Sequence, residues 1–161
     1  VVRYFKFLNQ TSKELSLNLK ILMNSCEEMS KSKMGAIIVL RKNNSLDFTL
    51  NENNYSKIQL TPQVLESIFF KNSPLHDGAI VIENNFITAT RVVLPVSDLT
   101  NIPSSYGLRH RAALGITEKT DALVLVISEQ TGKVAYFKNG GWVNFDSFED
   151  LEKTISQDLS D

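Results

Sequence analysis

Apolar residues recur along the chain with two periods, and the switches between those periods mark the elements. Thr11 to Glu14 spells a capping box, in which a threonine oxygen and a glutamate side chain satisfy orphan amides reciprocally, so a helix is predicted to start there. Leu15, Leu19, Leu22, Cys26 and Met29 then alternate steps of four and three, laying one apolar stripe on a helix that reaches about Met29. Met34 to Leu40 is a continuous, β-branched apolar run, the pattern of a strand covered on both faces. The asparagine-rich stretch 41–57 reads as a loop or weak edge hairpin outside the core. Thr61 and Pro62 supply an N-cap and a first-turn proline for a helix through Phe70, with Val64, Leu65, Ile68 and Phe69 facing inward and Pro74 stopping any continuation.

Two apolar segments, 79–83 and 86–94, flank Asn84-Asn85 and read as a hairpin. A looser segment, 95–107, leads into a helix that follows Gly107. Residues 122–128 form a second buried strand, after which "VAYFK" turns through "NGG" to pair with "WVNF". A last amphipathic helix from about Ser147 turns Phe148, Leu151, Ile155 and Leu159 inward. Helices interleaved with buried strands and hairpins predict an α/β fold: a single domain on a mixed, twisted sheet flanked by helices.

Composition narrows the class. The chain has 161 residues, enough for one domain with a real core. Its formal net charge of -1 supplies no general attraction to nucleic acid or anionic lipid, so a basic cluster must act locally. One cysteine, Cys26, excludes an internal disulfide framework and a thiolate metal cage; within its stripe it reads as a small buried hydrophobe. No run approaches the roughly 18 apolar residues of a membrane helix. The chain opens on Val1 without a methionine, so an excised domain of a longer protein is expected.

Two short motifs carry candidate chemistry. His76-Asp77-Gly78 sits just before a buried strand, where Asp-Gly is also ordinary turn chemistry. Arg109-His110-Arg111 follows Gly107 at a helix start, whose free amides and partial positive charge suit a phosphate. Arginines there oppose the helix dipole unless an anion offsets them, and contiguous cations point several ways rather than along one solvated face. Anion binding and a plain basic surface patch both remain open on these grounds.

Taken together, "PLHDGA", a hairpin, "LP", "RHRAA" and "SEQTG" resemble in order and spacing the diadenylate cyclase domain, most closely that of its membrane-anchored bacterial class. The resemblance runs from about Lys33 onward, which divides the chain into an N-terminal linker segment and helix, 1–32, and a catalytic domain, 33–161, in one compact unit. It implies a nucleotidyltransferase that condenses two ATP into cyclic di-AMP with release of two pyrophosphates and with Mg²⁺ or Mn²⁺. It implies Asp77 at the ribose 3'-hydroxyl and the metal, Gly78 giving close backbone approach, and Arg109, His110 and Arg111 on the triphosphate. Ala79, Leu94, Gly107, Leu108, Ser128 and Glu129 are then substrate-binding, with Leu94 at the adenine and Ser128 at a phosphate, while His76 and Gln130 are further candidate metal ligands.

Two residues depart from the family pattern. Leu108 stands where a threonine is usual, removing a hydroxyl, and Gln130 replaces a second glutamate, giving a metal a neutral oxygen in place of a charge. The symmetric product implies a homodimer with facing sites. A cytoplasmic catalytic domain is expected, with the membrane reached only through a segment outside this chain and no nucleic-acid partner. A non-catalytic sensor of ATP or cyclic di-AMP, an RNA-binding module and a purely structural interaction domain are the competing readings.

Overall fold

The computed structural model describes residues 17–73 and 75–161. Helix α1 spans Leu19–Lys31 and begins where the Asn18 side chain accepts a hydrogen bond from the Ile21 amide at 3.2 Å. The expected capping box at Thr11–Glu14, and Leu15, lie outside the described residues. Leu22, Cys26 and Met29 of the predicted stripe are fully buried, and burial pushes the Cys26 thiol up to about 12, so it stays protonated and unreactive.

Strand β1 covers Ala36–Leu40, buried throughout. The following stretch holds two single 3-10 turns, Asp47–Thr49 and Glu52–Asn54, and ends in an edge strand, β2, at Tyr55–Gln59. Its asparagines are not all peripheral: Asn54 is buried and donates from Nδ2 to the carbonyls of Thr90 and Arg91. The composition of the segment thus misses a residue whose side chain satisfies strand carbonyls. Helix α2, Pro62–Phe69, is capped by Thr61 as its sequence predicts, with Leu65, Ile68 and Phe69 buried. The helix has ended before Pro74, which itself lies outside the described residues.

Strands β3 (Ala79–Glu83) and β4 (Phe86–Val92) form the expected hairpin. Helix α3 runs Leu108–Lys119, then come β5 (Leu123–Ile127), β6 (Val134–Lys138), β7 (Gly141–Val143) and α4 (Phe148–Ser160). The seven strands of the described residues form one sheet in the order β2-β4-β3-β1-β5-β6-β7. Among them only β1 and β3 pair in parallel; every other neighbouring pair is antiparallel. This is the mixed α/β sheet predicted.

Alternation along the central strands divides the interior in two. Ile38, Leu40, Leu123 and Leu125 face a core shared with α1, α2 and α4. Ile37, Val39, Val124 and Val126 face a second core closed by α3 and the 93–107 segment. On the first side α4 is tied to β6 by Asp158, whose carboxylate accepts from the Tyr136 hydroxyl at 2.6 Å and from Lys138 Nζ at 2.9 Å.

On the second side α3 lies directly on the loop that leaves β4. A side chain at Gly115 would put its Cβ 1.8 Å from the Pro95 carbonyl oxygen. The Ser97 amide donates to the Arg111 carbonyl at 3.0 Å, locking the two segments together. Gly115→Ala is therefore expected to push this segment off the helix and to cost about 1–3 kcal/mol of stability, read as a lower urea midpoint; an unchanged midpoint would contradict the contact.

Candidate active site

Because β4 and β5 run opposite to β1 and β3, the end of β4, the start of β3, the start of β1 and the end of β5 all reach one edge of the sheet. The N-terminus of α3 crosses above that edge. Two cavities open there and share Leu108 and Arg109. The first, about 410 Å³, is lined by Asp77, Gly78, Arg91, Leu94 and Val96 among others. The second, about 230 Å³, is lined by Ser105, Gly107, His110, Ser128, Glu129 and Gln130.

Gly78 has φ of +87°, a conformation that favours glycine, and a Cβ there would come within 2.8 Å of the Arg91 carbonyl carbon. Its first role is thus to let β3 begin against the backbone of β4. That close approach leaves Asp77 exposed at the cavity wall. Leu94 is 6% exposed and serves both the second core and the cavity lining.

The three consecutive residues 109–111 point three ways, as about 100° of helical rotation per residue requires. Arg109 faces both cavities; its guanidinium lies on Gly35, where a Cβ would be 2.7 Å from Cζ, and its Nη1 is 3.5 Å from Glu129 Oε1. His110 turns inward, 7% exposed, and its Nδ1 accepts from the Gly107 amide at 3.0 Å, satisfying one orphan donor of the helix start. That bond leaves the proton of the neutral ring on Nε2. Tyr106 stacks on the imidazole with centroids 4.3 Å apart and 10° between planes, and is itself edged by Phe137 and Trp142. Burial, and secondarily the positive charge of Arg109, hold the His110 pKa below the ordinary histidine value. Arg111 donates from Nη1 to the Leu99 carbonyl at 2.9 Å, bracing the loop and lining neither cavity.

The Ser128 hydroxyl accepts from the Gln130 and Thr131 amides, both at 3.2 Å, so it shapes the turn that presents Glu129 and Gln130. Leu108, at the first helical position, is 76% exposed between the cavities. Two further predicted residues lie apart. Ala79 is fully buried in the second core. His76 hydrogen-bonds through Nδ1 to the Ser73 carbonyl at 2.7 Å and lines neither cavity.

Sequence reasoning missed Arg91, Gly35 and Tyr106. Arg91 left a signal, being the one charged side chain in the run 86–94. Gly35 and Tyr106 matter only through contacts distant in sequence or stacked on a turn, and no local pattern announces them.

For a divalent cation the donor set is sparse: among the described residues no group of three or more His, Cys, Asp or Glu could cage one. The Asp77 carboxylate, open to the cavity, fits a cation of the kind held by one or two carboxylates together with substrate phosphates and water.

Residues 23–142 match the family model described as DisA bacterial checkpoint controller nucleotide-binding. Among curated relatives, the diadenylate cyclase CdaS of Bacillus thuringiensis is 40% identical over 119 residues, 74% of this chain and 59% of the relative. A diadenylate cyclase of Listeria monocytogenes serotype 1/2a is 35% identical over 141 residues, 88% of this chain and 52% of the relative. The chain thus spans little more than half the length of these relatives. The crystal structure of a double mutant of DacA from Staphylococcus aureus superposes with a TM-score of 0.82 at 32% identity, covering 88% of this chain and 94% of that one. A structure described as a hypothetical membrane spanning protein from Bacillus cereus gives a TM-score of 0.77 at 36% identity, covering 82% and 65%.

The buried, neutral His110 makes stability depend on pH. With its folded-state pKa depressed, the unfolded chain takes up the proton first as pH falls, so stability declines through the ordinary histidine range. Unfolding free energy is expected to fall between about pH 7.5 and about pH 5.5, and to fall less in His110→Asn, which keeps an acceptor for the Gly107 amide; equal slopes in the two proteins would show that His110 is not the group responsible.

Proposed function

The chain belongs to the diadenylate cyclase (DAC) family, and from that membership we propose that it condenses two ATP molecules into cyclic di-AMP, releasing two pyrophosphates. The observation that carries this reading is the convergence of Asp77, Gly78, Leu94 and Arg109, distant in the chain, on one cavity of about 410 Å³. In each half-reaction the ribose 3'-oxygen of one ATP bonds to the α-phosphorus of the other. The bond from that phosphorus to the bridging oxygen breaks, and pyrophosphate leaves with the electron pair.

Each step has a residue suited to it. Asp77, an exposed carboxylate at the cavity wall, accepts the hydroxyl proton and aligns the attacking oxygen. Arg109 offers a fixed, permanently charged fork to the triphosphate, and its pairing with Glu129 orients it before substrate arrives. Leu94 and Val96 give the adenine an apolar seat. Ser128, Glu129, Gln130 and the Gly107-Leu108 backbone line the adjoining cavity, which suits the outgoing phosphates. The Nε2-H of His110 is a donor directed by the Gly107 bond, and Arg111 contributes by bracing the loop that carries Leu94. A divalent cation, Mg²⁺ or Mn²⁺, would be held by Asp77 with the phosphates and would offset negative charge on the phosphoryl oxygens and lower the pKa of the hydroxyl. His76 and Gln130 are farther candidates for its shell.

A two-nucleotide ring cannot close around a single cavity holding one ATP, so the reaction joins two copies face to face. The mouth of the cavity suits such a contact: Val93, Val96 and Leu108 are 82%, 52% and 76% exposed there. An apolar rim of this kind is what a protein interface covers. Among the described residues no helix is long and apolar enough to cross a membrane; the Bacillus cereus neighbour's description as membrane spanning supports a parent anchored by a further segment, and an ATP substrate puts this domain on the cytoplasmic side.

Incubation with ATP and Mg²⁺ or Mn²⁺, followed by chromatography, is expected to yield cyclic di-AMP; no product with either metal would contradict the reading. Asp77→Asn is expected to lower product formation by about 10²–10⁴-fold while ATP still binds, whereas Arg109→Ala weakens ATP binding as well. Specific activity is expected to fall on dilution, and a value constant into the monomer range would remove the face-to-face dimer.

A further inference from the structure

Arg91 is a cationic side chain of the Asp77 cavity that the mechanism above leaves without a task. Its backbone has φ of +55°, in the left-handed region that arginine avoids. Two independent devices hold it there. Gly78, lacking a Cβ, lets the Arg91 carbonyl carbon approach to within a distance no side chain would allow. Asn54 donates from Nδ2 to the Thr90 and Arg91 carbonyls at 3.0 and 3.1 Å, and its own Oδ1 is fixed by the Asn51 amide at 2.9 Å.

The outcome is a bulge. Ala89 pairs with Val81 and Val92 with Ala79, so three steps on β4 match two on β3. Ala89 and Val92 both enter the second core, and Arg91 is turned out of the ladder to the cavity wall. Among the described residues its guanidinium pairs with no carboxylate. Strain held by a glycine and a buried asparagine, delivering an unpaired cation to a cavity, has the form of a binding feature.

We propose that Arg91 binds a nucleotide phosphate in this cavity, on the side of Asp77 away from Arg109. The sheet order gives the arrangement: β4 and β1 flank β3, so Arg91 enters from the end of β4 and Arg109 from above Gly35 before β1, on either side of the strand that follows Asp77, with two strand spacings, roughly 10 Å, between the β4 and β1 backbones. Two cations entering from opposite sides suit an extended polyphosphate, or the phosphates of two nucleotides brought together for ring closure. The inference rests on the nucleotide reading of the cavity and adds a second phosphate-binding residue to it.

The test uses Arg91→Gly, which relieves the left-handed backbone and so keeps the fold while removing the guanidinium, beside Arg91→Lys, which restores a charge. Calorimetric titration with ATP-Mg²⁺ and with adenosine separates phosphate from base. Arg91→Gly is expected to weaken ATP binding by about tenfold or more, to leave adenosine binding and the melting temperature near the parent's, and to be partly rescued by lysine. Parental ATP affinity with a similar fall in turnover would assign the contact to the α-phosphate of the facing nucleotide and also support the proposal. ATP binding and cyclic di-AMP formation both within about twofold of the parent would overturn it. Should the parent bind ATP but form no cyclic di-AMP, the cyclase reading fails, and the contrast between ATP and adenosine still decides Arg91.

Discussion

The absence of one carbon atom at position 78 governs the site. Only a glycine there lets β3 start against the backbone of Arg91 and Val92, and that contact brings Asp77, Arg91 and Leu94 to a common cavity. A second close approach completes the arrangement from above, where Gly115 admits the Pro95 carbonyl against α3. With the loop after β4 pinned to the helix, the N-terminus of α3 is set over the sheet edge, and Arg109 is carried to the same cavity. Two backbone contacts thus fix the spacing between a carboxylate and a cation that lie far apart in the chain.

The basic cluster at the start of α3 divides its labour. Its three side chains leave the helix about 100° apart in turn, so one faces both cavities, one turns inward at the wall of the second and one braces a loop. The buried member is the one that can shed its charge, and it does so under Tyr106, capping the helix with an unprotonated nitrogen. Arginine at the helix start opposes the dipole, and the Glu129 carboxylate offsets part of that repulsion in the free protein. A bound phosphate would offset it more fully.

Much of this was legible in the sequence. The β-branched runs of β1 and β5, the Thr61-Pro62 start of α2 and the Asn-Asn hairpin each rest on local chemistry, which a single sequence displays directly. The pairing of the Asp-Gly and Arg-His-Arg motifs into one site came through family resemblance. What stayed hidden depends on distant contacts. Asn54 is buried because two carbonyls of a bulge need its amide. The edge strand β2 is one of the two readings open for 41–57, and the open ladder of β4 decides for it. The orientations of His110 and Arg111 depend on Tyr106 and on the Leu99 carbonyl, neither of which any periodicity marks.

The proposed chemistry requires Asp77 and Arg109 to meet the same nucleotide. A crystal structure with a non-hydrolysable ATP analogue tests this most directly. The triphosphate is expected on Arg109, with the ribose 3'-hydroxyl within hydrogen-bond reach of an Asp77 carboxylate oxygen, about 2.6–3.2 Å. A nucleotide seated with either residue out of contact would contradict that shared site.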